Sequence, residues 1–284
     1  MLLKTTLPVA ALSLAFGSAA LAHDHAGMMG YALAEDGGTL VTMADISKPG
    51  EVETHALETP LRAIAYRPVT GQLLGFADGM IYEVDPGSGE LTDLGASFMD
   101  DATIGEGAVA FDFNNQIDAV RAVGADGANL VYFPDGFGDN DEKANSVRRF
   151  TDVFYVEGDM SSGGEPRIFA NAYTNAIAGN TAGSTAQYAI DAEADALVTL
   201  ANNDGDLKSV GKLTLDGEEI DVTDWGGFDI VSPEEGTDMA YAVLQIEGED
   251  MAGLYSVDLG TGALTDLGEL GMGGFSGFAV SQGM

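Results

Sequence analysis

Residues 81–95 read IYEVDPGSGELTDLG, and residues 254–268 repeat the pattern as LYSVDLGTGALTDLG. Ten of the fifteen positions are identical, although the two stretches begin 173 residues apart. The V-D-x-x-[ST]-G segment follows a run with strand alternation, which predicts a strand that ends in a tight hairpin. We interpret Asp85 and Asp258 as turn formers that accept backbone N–H groups, while a following glycine takes the positive-φ position. The repeat therefore indicates a chain built from recurring β units.

A second, shorter pattern begins five units of the chain. Further strands are predicted after each copy, glycine is abundant at 39 residues, and helical periodicity over ten or more residues is not evident. Short strands with glycine turns in units of roughly 50 to 60 residues are typical of a propeller. We predict an all-β fold, a single β-propeller of five four-stranded blades. The copies of the pattern are AIAYR (63–67), AFDFN (110–114), ANAYT (170–174), GFDIV (227–231) and GFAVS (277–281).

The two ends of the chain are predicted to share the closing blade. The last copy, GFAVS, has no strands after it, whereas the segment from residue 31 has later strands without a first one. Joining them completes one blade and removes the exposed edge that an open array would leave. The polar insertion at 138–165 leaves six blades as the alternative, because it has room for further strands.

The first 22 residues have the pattern of a signal peptide. Lys4 supplies a positive start, an apolar stretch follows, and Ala20 and Ala22 form an A-x-A cleavage pattern. We predict a flexible tail at 23–30, a propeller domain at 31–284, and a periplasmic or extracellular location. Cysteine is absent, which excludes disulfides, thiolate sites and a lipoprotein anchor.

The charge of the chain is strongly negative. There are 46 acidic residues against 11 lysines and arginines, giving a formal net charge of -35 at pH 7. Nucleic acids and anionic lipids would be repelled by such a surface, so we expect neither as a partner, and no membrane insertion. We interpret most of the acidity as a solvated surface of a monomeric protein.

Several stretches resemble one family of secreted bacterial propellers, known as domain of unknown function 4394. The resemblance covers nearly all of the chain after the signal peptide; it implies a propeller and export, and it implies no activity or catalytic residue. The stretches are AIAYRPVTGQLLGF (63–76), AFDFNNQIDAVRAVGADGANL (110–130), NAYTNAIAG (171–179), WGGFDI (225–230) and the closing LYSVDLGTGALTDLG.

The third position of the five-fold pattern places two carboxylates near the central channel. Asp112 and Asp229 stand there among small residues, and Asn114 and Arg67 occupy a neighbouring column. Buried carboxylates need compensation. They could hold a cation such as Ca²⁺, pair with Arg67 or Arg121, or accept backbone N–H groups and hold adjacent blades together.

The predicted mature N-terminus offers a second candidate site. Cleavage after Ala22 would expose His23-Asp24-His25. A free amine, two amide nitrogens and the imidazole of His25 could then form a square-planar nitrogen set for Cu(II). The alternative is a tail without a metal.

Enzyme signatures are missing from the sequence. There is no G-x-S-x-G elbow, P-loop or Rossmann fingerprint, and His55 is the only internal histidine. Trp225 is interpreted as a packing residue. We expect a non-enzymatic scaffold that binds a protein or small-molecule ligand. The alternatives are a Ca²⁺-dependent, lactonase-like hydrolase that uses Asp112, Asp229 and Asn114, and copper binding through His23 and His25.

Overall fold

A computed structural model describes residues 27–34, 36–139 and 141–282. Within these ranges the chain forms 24 strands in five sheets, and two single-turn 3₁₀ helices, at Phe137–Asp139 and Asn202–Asp204. The described part of the chain contains no helix long and apolar enough to span a membrane. The all-β prediction is confirmed.

The strands are short, as the alternating Val-, Ile- and Phe-rich segments predict. In chain order, the first eight strands are β1 (Met29–Ala34), β2 (Thr39–Met43), β3 (Val52–Ala56), β4 (Ala63–Arg67), β5 (Gln72–Ala77), β6 (Met80–Val84), β7 (Leu91–Asp93) and β8 (Ser97–Phe98). The next nine are β9 (Val109–Asn114), β10 (Ala119–Gly124), β11 (Asn129–Phe133), β12 (Ser146–Arg149), β13 (Phe154–Tyr155), β14 (Ile168–Tyr173), β15 (Gln187–Asp191), β16 (Ala196–Leu200) and β17 (Asp206–Lys212). The last seven are β18 (Thr214–Leu215), β19 (Glu218–Glu219), β20 (Val222–Glu234), β21 (Thr237–Ile246), β22 (Gly253–Val257), β23 (Ala263–Glu269) and β24 (Gly277–Ser281).

Each sheet is one propeller blade. From the inner to the outer strand, blade 1 is β24-β1-β2-β3, blade 2 is β4-β5-β6-β7, and blade 3 is β9-β10-β11-β12-β8. Blade 4 is β14-β15-β16-β17-β13, and blade 5 is β20-β21-β22-β23-β18-β19. The inner strands contact one another around a ring in the order β24, β4, β9, β14, β20. These five strands contain the five copies of the shorter sequence pattern, so the predicted five-bladed propeller is confirmed.

The chain ends close blade 1 as predicted. Strand β24 pairs with β1 along its whole length, from Met29 opposite Ser281 to Leu33 opposite Gly277. Strand β1 begins at Met29, two residues before the predicted start of the domain, because this pairing already includes Met29 and Gly30. Closure pairs both edges of β1, with β24 on one side and β2 on the other.

The insertion at 138–165 does not form a sixth blade. It supplies β12, which is the fourth strand of blade 3, and β13, which pairs in parallel with β17 of blade 4. Strands β8 and β18 do the same for blades 3 and 5. Each of these connecting segments therefore adds an outer strand to the blade that follows it.

The two copies of the long repeat form the same hairpin in blades 2 and 5. The N–H of Gly87 donates to Asp85 Oδ1 at 2.8 Å, and the N–H of Gly260 donates to Asp258 Oδ1 at 2.9 Å. The glycine four residues after each aspartate has a positive φ, of 75° and 81°. Both aspartates are therefore turn formers, as the sequence predicts.

The hydrophobic core lies between the faces of neighbouring blades. Side chains of blade 2 pack against those of blade 3, as where the rings of Phe76 and Phe111 lie 5.9 Å apart. A comparable cluster joins blades 1 and 5 and includes Phe275 and Tyr241. The stability of the ring therefore rests on packing between blades.

Candidate functional site

The middle of the central channel is filled by side chains. The second position of the inner-strand pattern is Ile64, Phe111, Phe228 or Phe278 in four blades and Asn171 in blade 4. They leave a cavity of about 10 Å³, which is room for about one water molecule. The described residues offer no hydrogen-bond partner to either amide atom of Asn171, which is 1% exposed. The two ends of the channel are therefore separate regions.

Two carboxylates lie on the inner strands next to this filled layer. Asp112 and Asp229 are each 4% exposed. Asp112 Oδ2 accepts the N–H of Tyr173 at 2.7 Å, and Asp229 Oδ2 accepts the N–H of Val280 at 2.6 Å. Each carboxylate thus bonds to the inner strand of the next blade around the ring. Three roles were considered for these carboxylates. The observed geometry fits the role in which each one accepts a backbone N–H and holds adjacent blades together.

Burial raises the pKa of both carboxyl groups. For Asp112 the desolvation is reinforced by the charge of Asp229, and the N–H groups of Tyr173 and Phe113 oppose the rise only in part. For Asp229 desolvation outweighs the N–H groups of Val280 and Ile230. Two buried carboxylates that interact in this way resist simultaneous ionisation, so the pair holds a proton more readily than exposed acids do.

The other two predicted channel residues point elsewhere. Arg67 donates to both oxygens of Asp118 in the β9–β10 turn, which joins blade 2 to blade 3. Asn114 Oδ1 accepts the N–H of Gln116 at 3.0 Å and the hydroxyl of Thr185 at 3.1 Å. The structure therefore brings Asp112 and Asp229 together and separates Arg67 and Asn114 from them.

The buried Arg121 does not neutralise the carboxylates either. Its guanidinium donates to the hydroxyl of Tyr173 at 2.8 Å and to the side-chain oxygens of Asn129 and Asn203. Arg121 is 3% exposed and forms no ion pair with the acids of the described residues. The charge of Arg121 is therefore stabilised by hydrogen bonds to neutral oxygen atoms where blades 3 and 4 meet.

No described group of three or more His, Asp or Glu side chains is arranged to hold a metal ion. The Ca²⁺ site predicted from Asp112, Asp229 and Asn114 stays a prediction; in the structure these side chains bond to the protein's own N–H and hydroxyl groups. His23 and His25 lie outside the described residues, together with the predicted signal peptide.

One end of the channel, where the inner strands end, is closed by the loop between β14 and β15. We call this segment, residues 174–186, the plug loop. The N–H of Gly179 donates to the carbonyl of Pro68 in blade 2, and that of Ala182 donates to the carbonyl of Asn115 in blade 3. The N–H of Ser232 in blade 5 donates to the carbonyl of Ala176. A loop of blade 4 is therefore tied to three other blades.

Two buried amides fix the plug loop. Asn115 is 1% exposed, and its Nδ2 donates to the carbonyls of Asn175 at 2.7 Å and Asn180 at 3.1 Å. Asn175 has a φ of 59°; its side chain donates to Ser184 and accepts the N–H of Gly236. The space left beneath the loop is about 10 Å³. The cavity beneath the plug loop is therefore too small for an organic ligand.

The opposite end, where the inner strands begin, is open. A pocket of about 230 Å³ lies there, which we call the open pocket. Its lining comes from residues that immediately precede or begin four inner strands, and from the β1–β2 turn. The lining residues are Asp36, Leu61, Arg62, Gly107, Ala108, Asp224, Trp225 and Ser276.

A bulge in β20 places Trp225 in the open pocket. The register between β20 and β21 shifts between Val222 and Gly226, so the intervening residues leave the regular ladder. Gly226 has a φ of 149°, and a side chain there would lie 2.1 Å from the carbonyl oxygen of Val243. Trp225, the one tryptophan of the chain, is consequently half-buried rather than packed inside a blade. The sequence pattern suggested a packing role for Trp225 and did not indicate that it lines the open pocket.

The cation of the open pocket already bonds to other parts of the protein. Arg62 donates to the carboxylate of Asp78 and to the carbonyls of Gly105 and Gly107. These bonds hold the segment before β9 against the start of β4, and so shape one wall of the pocket. Arg62 therefore has a structural role in the wall of the open pocket.

Most lining residues of the open pocket are missed by the sequence reasoning. Leu61, Arg62, Gly107, Ala108 and Ser276 lie one or two residues before the start of an inner strand, outside the repeated pattern. Their common offset from the five-fold pattern is the signal that could have found them, because equivalent strand ends of a propeller meet at the same end of the channel.

The sequence pattern of the family described as Domain of unknown function (DUF4394) matches residues 40–279. No curated protein matches the chain.

Solved structures resemble the chain at low identity. They include hydrazine synthase of Kuenenia stuttgartiensis, with 11% identity, a TM-score of 0.38, and coverage of 74% of this chain and 49% of that one. A nidogen/laminin complex matches with 12% identity, a TM-score of 0.45, and coverage of 90% and 99%. An auxiliary nutrient binding protein from Bacteroides ovatus matches with 14% identity, a TM-score of 0.42, and coverage of 75% and 55%. The chain spans about half the length of the first and third of these structures.

Proposed function

The chain belongs to the family described as Domain of unknown function (DUF4394), and from that premise we propose that it is an exported, non-enzymatic binding protein whose small organic ligand occupies the open pocket. The observation that carries the proposal is the pocket of about 230 Å³ at the mouth of the channel, with the half-buried Trp225 in its wall. Export is proposed from the signal-peptide pattern of the first 22 residues.

The lining of the open pocket has the composition of a ligand site. Leu61, Ala108 and the indole of Trp225 supply apolar and aromatic surface, and a few polar groups stand among them. Small-molecule sites are concave and mostly apolar, with a few polar groups that orient the ligand. The filled layer of the channel gives the pocket a floor, so a ligand would enter and leave by the same mouth.

Binding without catalysis is supported by where the perturbed acids lie. A catalytic acid or base needs both a shifted pKa and access to the substrate. Asp112 and Asp229 have raised pKa values, but they are buried on the inner strands and bonded to Tyr173 and Val280. The hydroxyl of Ser276 in the pocket has no hydrogen-bond partner among the described residues, and thus no base to activate it.

The single tryptophan allows a direct test. We expect that one or more compounds from a panel of amino acids, sugars, nucleosides and organic amines will change the fluorescence of Trp225 and raise the melting temperature. Replacing Ala108 with leucine fills part of the pocket and should weaken binding about tenfold or more. The matched control is Ala44→Leu, at an exposed position outside the open pocket.

Two results would contradict the proposal. One is a panel in which no compound changes either the fluorescence or the melting temperature of the folded protein. The other is a ligand whose affinity is equal in the wild type, Ala108→Leu and Ala44→Leu, since its site would then lie outside the open pocket.

A further inference from the structure

The open pocket contains carboxylates that no cation of the protein neutralises. Asp36 and Asp224 both line it, and neither forms a side-chain hydrogen bond or ion pair with another described residue. The basic residue of the lining, Arg62, is already bonded to Asp78 and two carbonyls. The pocket thus presents unbalanced negative charge to a ligand.

Trp225 adds a surface that attracts the same kind of ligand. The face of an indole ring is the best aromatic partner for an organic cation, because the ring quadrupole places negative potential there. Leu61 and Ala108 provide apolar wall for the alkyl groups that such a cation carries. An inorganic ion would leave this apolar wall without a contact, whereas a ligand with methyl or alkyl groups would cover it.

The electrostatic field of the whole protein also favours a positively charged ligand. With 46 acidic against 11 basic residues, the surface concentrates cations and repels anions. The pocket volume of about 230 Å³ suits a compact molecule rather than a large cofactor.

We infer that the ligand of the open pocket is a small organic cation, an alkyl- or quaternary ammonium compound. The ammonium group lies against Trp225 between Asp36 and Asp224, and the alkyl groups contact Leu61 and Ala108. This inference rests on the function proposed above and adds the chemical class of the ligand.

A pair of isosteric probes tests the class. Choline and 3,3-dimethylbutan-1-ol have nearly the same shape, and only choline carries a charge. We expect choline to change the fluorescence of Trp225 with a dissociation constant about tenfold or more below that of the neutral alcohol. The titrations are made at about 0.15 M ionic strength, so that weak attraction by the general surface charge is screened.

Charge variants locate the effect. Asp224→Asn and Asp36→Asn should each raise the dissociation constant of choline about tenfold while leaving that of the neutral alcohol unchanged. The control is Glu234→Gln, which removes the same charge at the exposed end of β20, at the closed end of the channel. It should leave choline binding unchanged.

Three outcomes separate the inference from the proposed function. If the neutral alcohol or an anion such as benzoate binds the open pocket as tightly as choline, the inference is wrong and the proposed function stands. If choline binding is insensitive to both aspartate variants, or equally sensitive to Glu234→Gln, the cation binds elsewhere and the inference is also wrong. If neither these probes nor the wider panel affect the fluorescence of Trp225, both fail.

Discussion

The two ends of the channel are made by the same five inner strands, yet they differ in how their polar groups are used. At the closed end the plug loop bonds to blades 2, 3 and 5, and the buried amide of Asn115 donates twice. At the open end the carboxylates of Asp36 and Asp224 lack such partners among the described residues. The difference separates a region that stabilises the ring from a region that is available to a ligand.

Between the ends, the filled layer and the pair Asp112 and Asp229 keep the two regions apart. The pair ties β9 to β14 and β20 to β24. Changes at the closed end should therefore alter stability, and changes at the open end should alter binding with little loss of stability. Three variants test this division, from the largest expected change in the free energy of unfolding to the smallest.

The largest loss is expected from Asn115→Leu at the closed end. The change removes the two amide donors to the carbonyls of Asn175 and Asn180 and places an apolar side chain at a buried, polar position beneath the plug loop. We expect the free energy of unfolding to fall by about 2–3 kcal/mol, measured by urea denaturation.

The neighbouring residue provides the control for that variant. Gln116 donates to the carbonyl of Gly183 in the same loop, but it does so at the exposed surface. Gln116→Leu should cost less than about 1 kcal/mol. Equal losses in the two variants would show that the buried amide is not what holds the plug loop.

An intermediate effect is expected from the axial carboxylates, and it depends on pH. Their pKa values are raised in the folded state relative to the unfolded chain, so the folded protein binds more protons. Their contribution is therefore fully present below the unfolded pKa, near 4, and is lost as pH rises through the raised values. Relative to wild type, Asp112→Asn with Asp229→Asn should gain stability between pH 5 and 8, by roughly 1 kcal/mol or more.

Many other acids also repel one another as pH rises, so the measurement needs a variant with the same charge change. Asp85→Asn with Asp258→Asn removes two charges from the exposed hairpin turns and keeps an acceptor oxygen in each. Its stability should follow the pH dependence of the wild type closely. A flattened slope in this control as well would assign the effect to net charge rather than to the axis.

The smallest change is expected from Trp225→Ala at the open end. Trp225 is half-buried and lies within a bulge, so its removal should lower the free energy of unfolding by no more than about 1 kcal/mol. The same variant should lose the ligand-induced rise in melting temperature. A loss comparable to that of Asn115→Leu would instead identify Trp225 as a core residue and remove the distinction between the two ends.

Much of the fold could be predicted from the sequence because it depends on contacts between neighbouring residues. The hairpins at Asp85 and Asp258 form from six-residue segments with an acceptor and a flexible glycine at fixed offsets. The five inner strands follow from one repeated pattern, and the shared blade follows from a missing strand at each chain end.

The site was less predictable because its residues meet across blades. The position of Asp112 and Asp229 on the inner strands could be read from the pattern, but their partners, Tyr173 and Val280, are 61 and 51 residues away. Arg67 pairs with Asp118 at a similar distance along the chain, which sequence spacing does not indicate. The polar segment 174–186 resembles an ordinary surface loop until its bonds to Pro68 and Asn115 are seen.

The sequence by itself therefore determined the architecture: β hairpins, five repeated units and a ring closed by both ends of the chain. Only the tertiary structure decided which end of the channel is plugged, which strands the buried acids bond to, and where Trp225 lies. The physical reason is that turn geometry and strand alternation are local properties of a few residues. Ends of a channel are formed by strands from every blade, and the partners of a buried polar group depend on which of these strands meet there.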